Sequence, residues 1–172
     1  MENEEKKSNI LKELIPYVVI LIIVLVIRTF IFTPIKVNGE SMVPTLDGGE
    51  LMILTKYNKN DIEREDIVVV TIEDSEGYKE DLIKRVIALP GEKVSCEDGI
   101  IYINDRKREE KYGEGVTNDF EAVTLEEDEY FVLGDNREIS LDSSEFGPIK
   151  KKQIKGKTSF VIYPFSKWGN VE

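Results

Sequence analysis

The stretch from Leu14 to Phe32 constrains the chain more than any other feature. Leu14 to Ile27 reads LIPYVVILIIVLVI without a charge, and after Arg28 the apolar character resumes through Phe32. Nineteen residues at about 1.5 Å each make a helix of about 28 Å, close to the hydrocarbon thickness of a bilayer. Arg28 lies near one end, where its long side chain can reach the interface, and Pro16 lies near the other, where a first helical turn tolerates it. A helix in a soluble core would show a polar face, which this run of Val and Ile lacks. A cleaved leader would need an Ala-x-Ala-like site after the run, yet the chain's two alanines are Ala88 and Ala122. The span therefore reads as an uncleaved anchor, dividing the chain into a tail (1–13), a transmembrane helix (14–32) and a domain (33–172). Lys6, Lys7 and Lys12 before the span outweigh Arg28 and Lys36 after it, which favours a cytoplasmic amino terminus and an outward domain.

Charge and composition narrow the chemistry. Lys and Arg number 23 against 34 Asp and Glu, a net charge of −11, and there is no histidine. Four basic residues (Lys6, Lys7, Lys12, Arg28) and four acidic ones (Glu2, Glu4, Glu5, Glu13) cancel in the tail and span, so the whole −11 belongs to the domain. That acidity argues against a nucleic-acid partner and against broad docking to anionic lipid. Without histidine there is no Ser-His-Asp or Cys-His catalysis and no ordinary His-ligated metal. A single cysteine, Cys96, excludes an intramolecular disulfide and every multi-Cys metal motif. No metal and no cofactor are expected.

The domain reads as mostly β. Short β-branched runs recur at Leu51–Tyr57, Ile67–Ile72, Tyr78–Leu89, Ile100–Ile103, Tyr130–Leu133 and Lys157–Tyr163, separated by turn signals such as Pro90-Gly91, Asp98-Gly99 and Asn104-Asp105. This spacing predicts antiparallel sheets in a sandwich or barrel-like arrangement. The acidic cluster Glu126–Glu129 reads as a solvated turn. The late stretch Tyr163–Trp168 holds the single tryptophan and suits either an aromatic satellite core or a dip into the membrane interface.

A nucleophile in a chain without histidine needs another base, and a lysine made neutral can serve. Ser41 lies in Gly39-Glu-Ser-Met-Val-Pro-Thr-Leu46, and Lys84 lies in Asp81-Leu-Ile-Lys-Arg-Val-Ile-Ala-Leu-Pro-Gly91, flanked by apolar residues. A free lysine titrates near 10.4, so a base working at neutral pH needs its pKa lowered by about 2 to 3 units, which burial can supply. Taken singly, a serine in a turn and a lysine in a strand are ordinary surface residues.

Together with Gly134-Asp-Asn-Arg-Glu-Ile-Ser-Leu-Asp-Ser143, these segments resemble the signature boxes of type I signal peptidases, membrane-bound serine proteases that remove signal peptides from exported proteins. The three boxes stand in that family's order, and weaker similarity extends the likeness over nearly all of residues 33–165. The resemblance implies a β-rich catalytic domain on a membrane anchor in the bacterial cell membrane. It implies Ser41 as nucleophile, Lys84 as general base, the Ser41 N–H as an oxyanion donor and Ser140 as the hydroxyl that orients the amine. Asp142 and Arg85 are implied as a supporting network. Ile35, Val37, Met42, Leu46, Leu82 and Ile83 are implied to line pockets for substrate residues −1 and −3, the substrate adding as a strand between the segment before Ser41 and the strand carrying Lys84. Two positions depart from the family pattern. Gly39 stands where some relatives place a serine donating to the oxyanion, so another donor or water is expected there. Ser144 stands where arginine is usual, which leaves Asp142 to lean on Arg85. The implied partners are signal peptides of exported preproteins and, through the anchor, membrane lipid. Two alternatives share parts of this pattern. A self-cleaving Ser-Lys repressor would be soluble and carry a DNA-binding segment. A non-catalytic, membrane-tethered peptide-binding or assembly factor of the same fold would need neither Ser41 nor Lys84.

Overall fold

The computed structural model describes residues 13–26, 32–56, 61–73 and 75–171. Residues 13–26 form helix α1, every residue of which is exposed. Among the described residues no helix is long and apolar enough to cross a membrane. Residues 1–12, all but the last of the expected tail, and residues 27–31, including Arg28, lie outside the described residues. Phe32, read from the sequence as the end of the apolar span, is instead the first residue of a strand, because it pairs across to Thr55.

The β reading holds. Strand β1 (Phe32–Lys36) lies at the edge of a large antiparallel sheet beside β2 (Leu51–Thr55). The sheet continues through β11 (Ile154–Tyr163), β3 (Ile67–Glu73), β4 (Lys79–Ala88), β9 (Glu129–Leu133) and β10 (Ile149–Lys150). The short β12 (Gly169–Asn170) pairs with the far half of β11. A second sheet has the order β7 (Arg106–Lys107), β6 (Ile100–Ile103), β5 (Lys93–Glu97) and β8 (Phe120–Thr124). A single-turn helix, α2 (Ser143–Phe146), is capped by the Asp142 carboxylate accepting from the Ser144 N–H. All six β-branched runs are strands. Among the described residues six further strands appear: β7, β10 and β12 have two residues each, β1 continues the apolar character of the run before it, and β5 and β8 are five-residue segments that include charged residues.

Three apolar clusters hold these layers. One joins the small sheet to the end of β4 through Ile87, Val94, Ile101, Phe131 and Leu133, with Phe120 stacked on Phe131 and Cys96 buried within it. A second packs Val68, Val70, Val86, Val132 and Ile154 on one face of the large sheet. A third fills the opposite side with Val37, Met42, Leu46, Met52, Ile67 and Val161, and Ile35 and Ile83 lie against it.

β4 is longer than its partners, and this shapes the site. β3 pairs with it from Lys79 to Arg85, whereas β9 joins its other edge only from Arg85, opposite Leu133. The edge from Lys79 to Lys84 is left open on that side. β1 also has an open edge, opposite the one that pairs with β2.

The acidic turn before β9 faces solvent, and Glu126 and Asp128 pair there with Lys150. The segment after β11 forms an exposed aromatic group in which Phe165 contacts Tyr163 and Trp168, and Trp168 also meets Phe160 edge-on. Lys167 ties this turn to the loop after Ser41 by reaching both Asp47 and the buried Glu50 at 2.6 Å.

Candidate active site

The turn that follows β1 carries Ser41, and β4 carries Lys84 in register with Val68 of β3. Strand alternation puts Lys84 on the face of Leu82 and Val86, and Arg85 on the opposite face. Lys84 is 1% exposed. Its Nζ donates to Ser41 Oγ at 2.8 Å and to Ser140 Oγ at 3.1 Å. Burial pushes the amine down from its ordinary value to about 8, while Asp142, Asp135 and Glu80 pull it partly back. The result is a hydroxyl in hydrogen-bond reach of an amine that is partly deprotonated near neutral pH, with a second hydroxyl orienting the amine. This is the geometry a nucleophile and its base require.

The loop 134–142 holds the two halves together. Asn136 N–H donates to the Ser41 carbonyl at 3.1 Å. Asp135, wholly buried, receives Arg85 Nε at 2.9 Å and Nη2 at 2.7 Å, and accepts from Thr45 Oγ1 at 2.5 Å. One carboxylate therefore fastens the turn after Ser41 to the residue after Lys84. The other face of Arg85 stacks over the Tyr112 ring, 4.1 Å from its centroid. Gly134 makes the approach possible, because a Cβ there would stand 2.2 Å from Ser140 Oγ and 2.5 Å from the Ser41 carbonyl oxygen.

The structure redraws the expected Arg85–Asp142 network. Arg85 belongs to Asp135, and Asp142 instead accepts from Gly134 N–H at 2.9 Å and from the Ser144 N–H and hydroxyl. Ser144 supplies the partner that the missing arginine was expected to take away. The reason is local: a short hydroxyl at the first turn of α2 reaches the capping carboxylate directly, and Arg85 projects from the other face of β4. At Gly39 the backbone is left-handed, φ +79°, and no atom lies within 4 Å of where a Cβ would stand.

The six expected pocket residues separate into two groups. Ile35, Leu82 and Ile83 are partly exposed, and the last two line a groove of about 910 Å³ that also contains Ser41. Val37, Met42 and Leu46 are buried at 2% exposure or less in the third cluster, against which Ile35 and the groove-lining Ile83 pack. Sequence reasoning missed Asp135, Thr45 and Gly134. Asp135 left one signal, a carboxylate directly after the apolar run Tyr130–Leu133 and Gly134, where burial demands a cationic partner.

Comparison with known families matches residues 10–163 to the family described as signal peptidase, peptidase S26. Signal peptidase I S of Bacillus subtilis (strain 168) is 37% identical over 180 residues, covering 96% of this chain and 95% of its own length. Signal peptidase IB of Staphylococcus aureus (strain COL) is 35% identical, with 94% of each chain covered. Among solved structures, a signal peptidase I from Enterococcus faecalis V583 is 34% identical and aligns with 56% of this chain and 96% of its own at a TM-score of 0.48. The chain belongs to the signal peptidase family, peptidase S26, and is a serine endopeptidase of the type I signal peptidase class.

Proposed function

We propose that the protein removes amino-terminal signal peptides from exported preproteins at the membrane surface, cutting after Ala-x-Ala-like sites with Ser41 as nucleophile and Lys84 as its base. The observation that carries this reading is the buried Lys84 amine within 2.8 Å of Ser41 Oγ and 3.1 Å of Ser140 Oγ. In its neutral form Lys84 takes the Ser41 proton as Oγ attacks the scissile carbonyl, and the Ser41 N–H faces the developing oxyanion. The protonated amine then delivers that proton to the departing nitrogen as the C–N bond breaks. Water, activated by the same amine, releases the acyl group and returns Ser41 to its hydroxyl form. Ser140 keeps the amine aimed during both steps, and Asp142 holds the loop that carries Ser140.

The open edges of β1 and of Lys79–Lys84 leave room for one extended substrate strand, which would close the curled sheet. Ile35, Leu82 and Ile83 bound the shallow apolar space beside it, and Val37, Met42 and Leu46 belong to the cluster against which Ile35 and Ile83 pack. Shallow pockets favour alanine because larger side chains clash. The apolar span that begins at Leu14 and ends before β1 is read as a single transmembrane anchor with a cytoplasmic amino terminus. Thirteen positions separate Arg28 from Ser41, so even a fully extended link reaches no more than about 45 Å. The nucleophile stays close to the bilayer, where a substrate's cleavage site emerges beyond its own apolar helix. A tethered binding factor of the same fold would not need a desolvated lysine against a serine hydroxyl.

The test is cleavage of a preprotein with an Ala-x-Ala site by the purified chain. Ser41→Ala and Lys84→Ala each abolish cleavage while the circular dichroism spectrum stays native, and the wild-type rate rises with pH through about 8. A Lys84→Ala variant that keeps near wild-type rate between about pH 6 and 10 overturns the mechanism.

A further inference from the structure

The loop that carries Ser140 is also held by the small sheet. β7 and β8 stand at opposite edges of that sheet, so residues 108–119 cross from one edge to the other, and on the way they lie against the loop 134–142. The Glu114 N–H donates to the Asp135 carbonyl at 2.8 Å, and the Glu114 carbonyl accepts from the Arg137 N–H at 2.9 Å, which makes a parallel bridge between Glu114 and Asn136. Asn136 is the residue whose own N–H reaches the Ser41 carbonyl. Backbone bonds thus join the crossing segment, the loop and the nucleophile's turn in that order.

Arg137 adds a side-chain link at the same place. It is 7% exposed. Its Nη1 donates to Glu110 Oε2 and to Thr117 Oγ1, both at 2.7 Å, from the first and last parts of the crossing segment. Its Nε donates to the Gly134 carbonyl at 2.9 Å. Gly134 is the point of closest approach to Ser140 Oγ and the Ser41 carbonyl, and its N–H is taken by Asp142. A guanidinium that fixes Gly134 therefore fixes the peptide lying between the two hydroxyls that meet the Lys84 amine.

Stability alone does not account for the Arg137–Glu110 pair. Glu110 Oε1 and Arg137 Nη2 are buried without a hydrogen-bond partner among the described residues. A buried ion pair with unmet groups stabilises a fold no better than apolar side chains of similar volume. What apolar side chains cannot supply is a donor held in place on the Gly134 carbonyl.

We propose that Arg137, anchored by Glu110, is a positioning residue for the cleavage reaction: acting through Gly134, it sets where Ser140 holds the Lys84 amine. The inference rests on the cleavage reading given under Proposed function and adds to it a mechanical part for the small sheet's crossing segment.

The experiment uses the full chain in detergent micelles and a quenched peptide with an Ala-x-Ala site. Glu110→Met/Arg137→Met removes both charges together, so its urea midpoint stays at or above that of wild type. Its kcat nevertheless falls about ten-fold with KM within about two-fold of wild type, as a displaced base requires. Arg137→Lys keeps a cation beside Glu110 but loses the fork that spans Glu110 and Gly134, and its kcat falls about five-fold with a native circular dichroism spectrum. This second variant carries the test if the double variant does not fold. Ser140→Ala reports the route: it lowers kcat by a smaller factor in the variant background than in wild type, because Ser140 is already displaced there. Wild-type kcat in a folded variant, a loss that resides in KM, or an equal Ser140→Ala factor in both backgrounds overturns the positioning role. If wild type itself fails to cut the peptide, the cleavage reading falls first, so the two failures are told apart.

Discussion

Lys84 carries a cost that the rest of the site must bear. Its amine titrates near 8 in the folded protein against 10.5 when free, with burial as the main cause. Between those values the unfolded chain holds a proton that the folded chain lacks, so this group makes stability rise with pH across that window. Below it both states are protonated and the full penalty of burying a cation, about 3 kcal/mol, is present. Lys84→Met is therefore expected to be more stable than wild type at pH 7 by about 2 kcal/mol, after the lost hydrogen bonds to Ser41 and Ser140 are subtracted. Urea midpoints should show that gap closing as the pH approaches 10; a constant gap would mean that the amine's charge is not its source. Lys84 and Ser41 could be singled out in the sequence because motif order and missing histidine both pointed to them. For Asp135 the sequence holds only a carboxylate after an apolar run, and its partners are fixed only where Arg85 and Thr45 converge on it.

At the scale of elements, the site depends on β4 outrunning β9 and on strands that approach closely. Gly156 in β11 is one such point: a Cβ there would stand 2.4 Å from the Thr55 carbonyl oxygen of β2 and 3.0 Å from a Leu54 methyl. Gly156→Ala must push the two strands apart, at a cost of about 2 to 3 kcal/mol. The expected result is a lower urea midpoint with an unchanged far-ultraviolet spectrum, and a midpoint equal to wild type would refute it. The long strands were legible because runs such as Ile67–Ile72 are β-branched and bounded by turns. β1 was hidden because its residues continue the apolar character of the span before it, and only pairing with β2 ends the one and begins the other.

Across the whole molecule, the aromatic turn and the turn after Ser41 act as one body through Lys167, which joins Asp47 and Glu50. Phe165 is 76% exposed and Trp168 59%, a surface suited to the membrane interface that the anchor would bring near. Replacing both with serine is expected to lower the rate on a preprotein in vesicles about five-fold and to leave a short soluble peptide unaffected; equal losses on both substrates would refute a membrane role. The β-rich class, the apolar span, the exclusion of histidine chemistry and the pair Ser41 and Lys84 could be read without coordinates, because periodicity, composition and motif order are local properties of the chain. Only the folded chain brings Arg85 to Asp135, buries Val37, Met42 and Leu46 in a cluster against which Ile83 packs, and lines the groove of Ser41 with lysines from three separate segments. These residues stand tens of positions apart in the chain, Arg85 and Asp135 by 50, and no local pattern encodes which face of which strand brings them together.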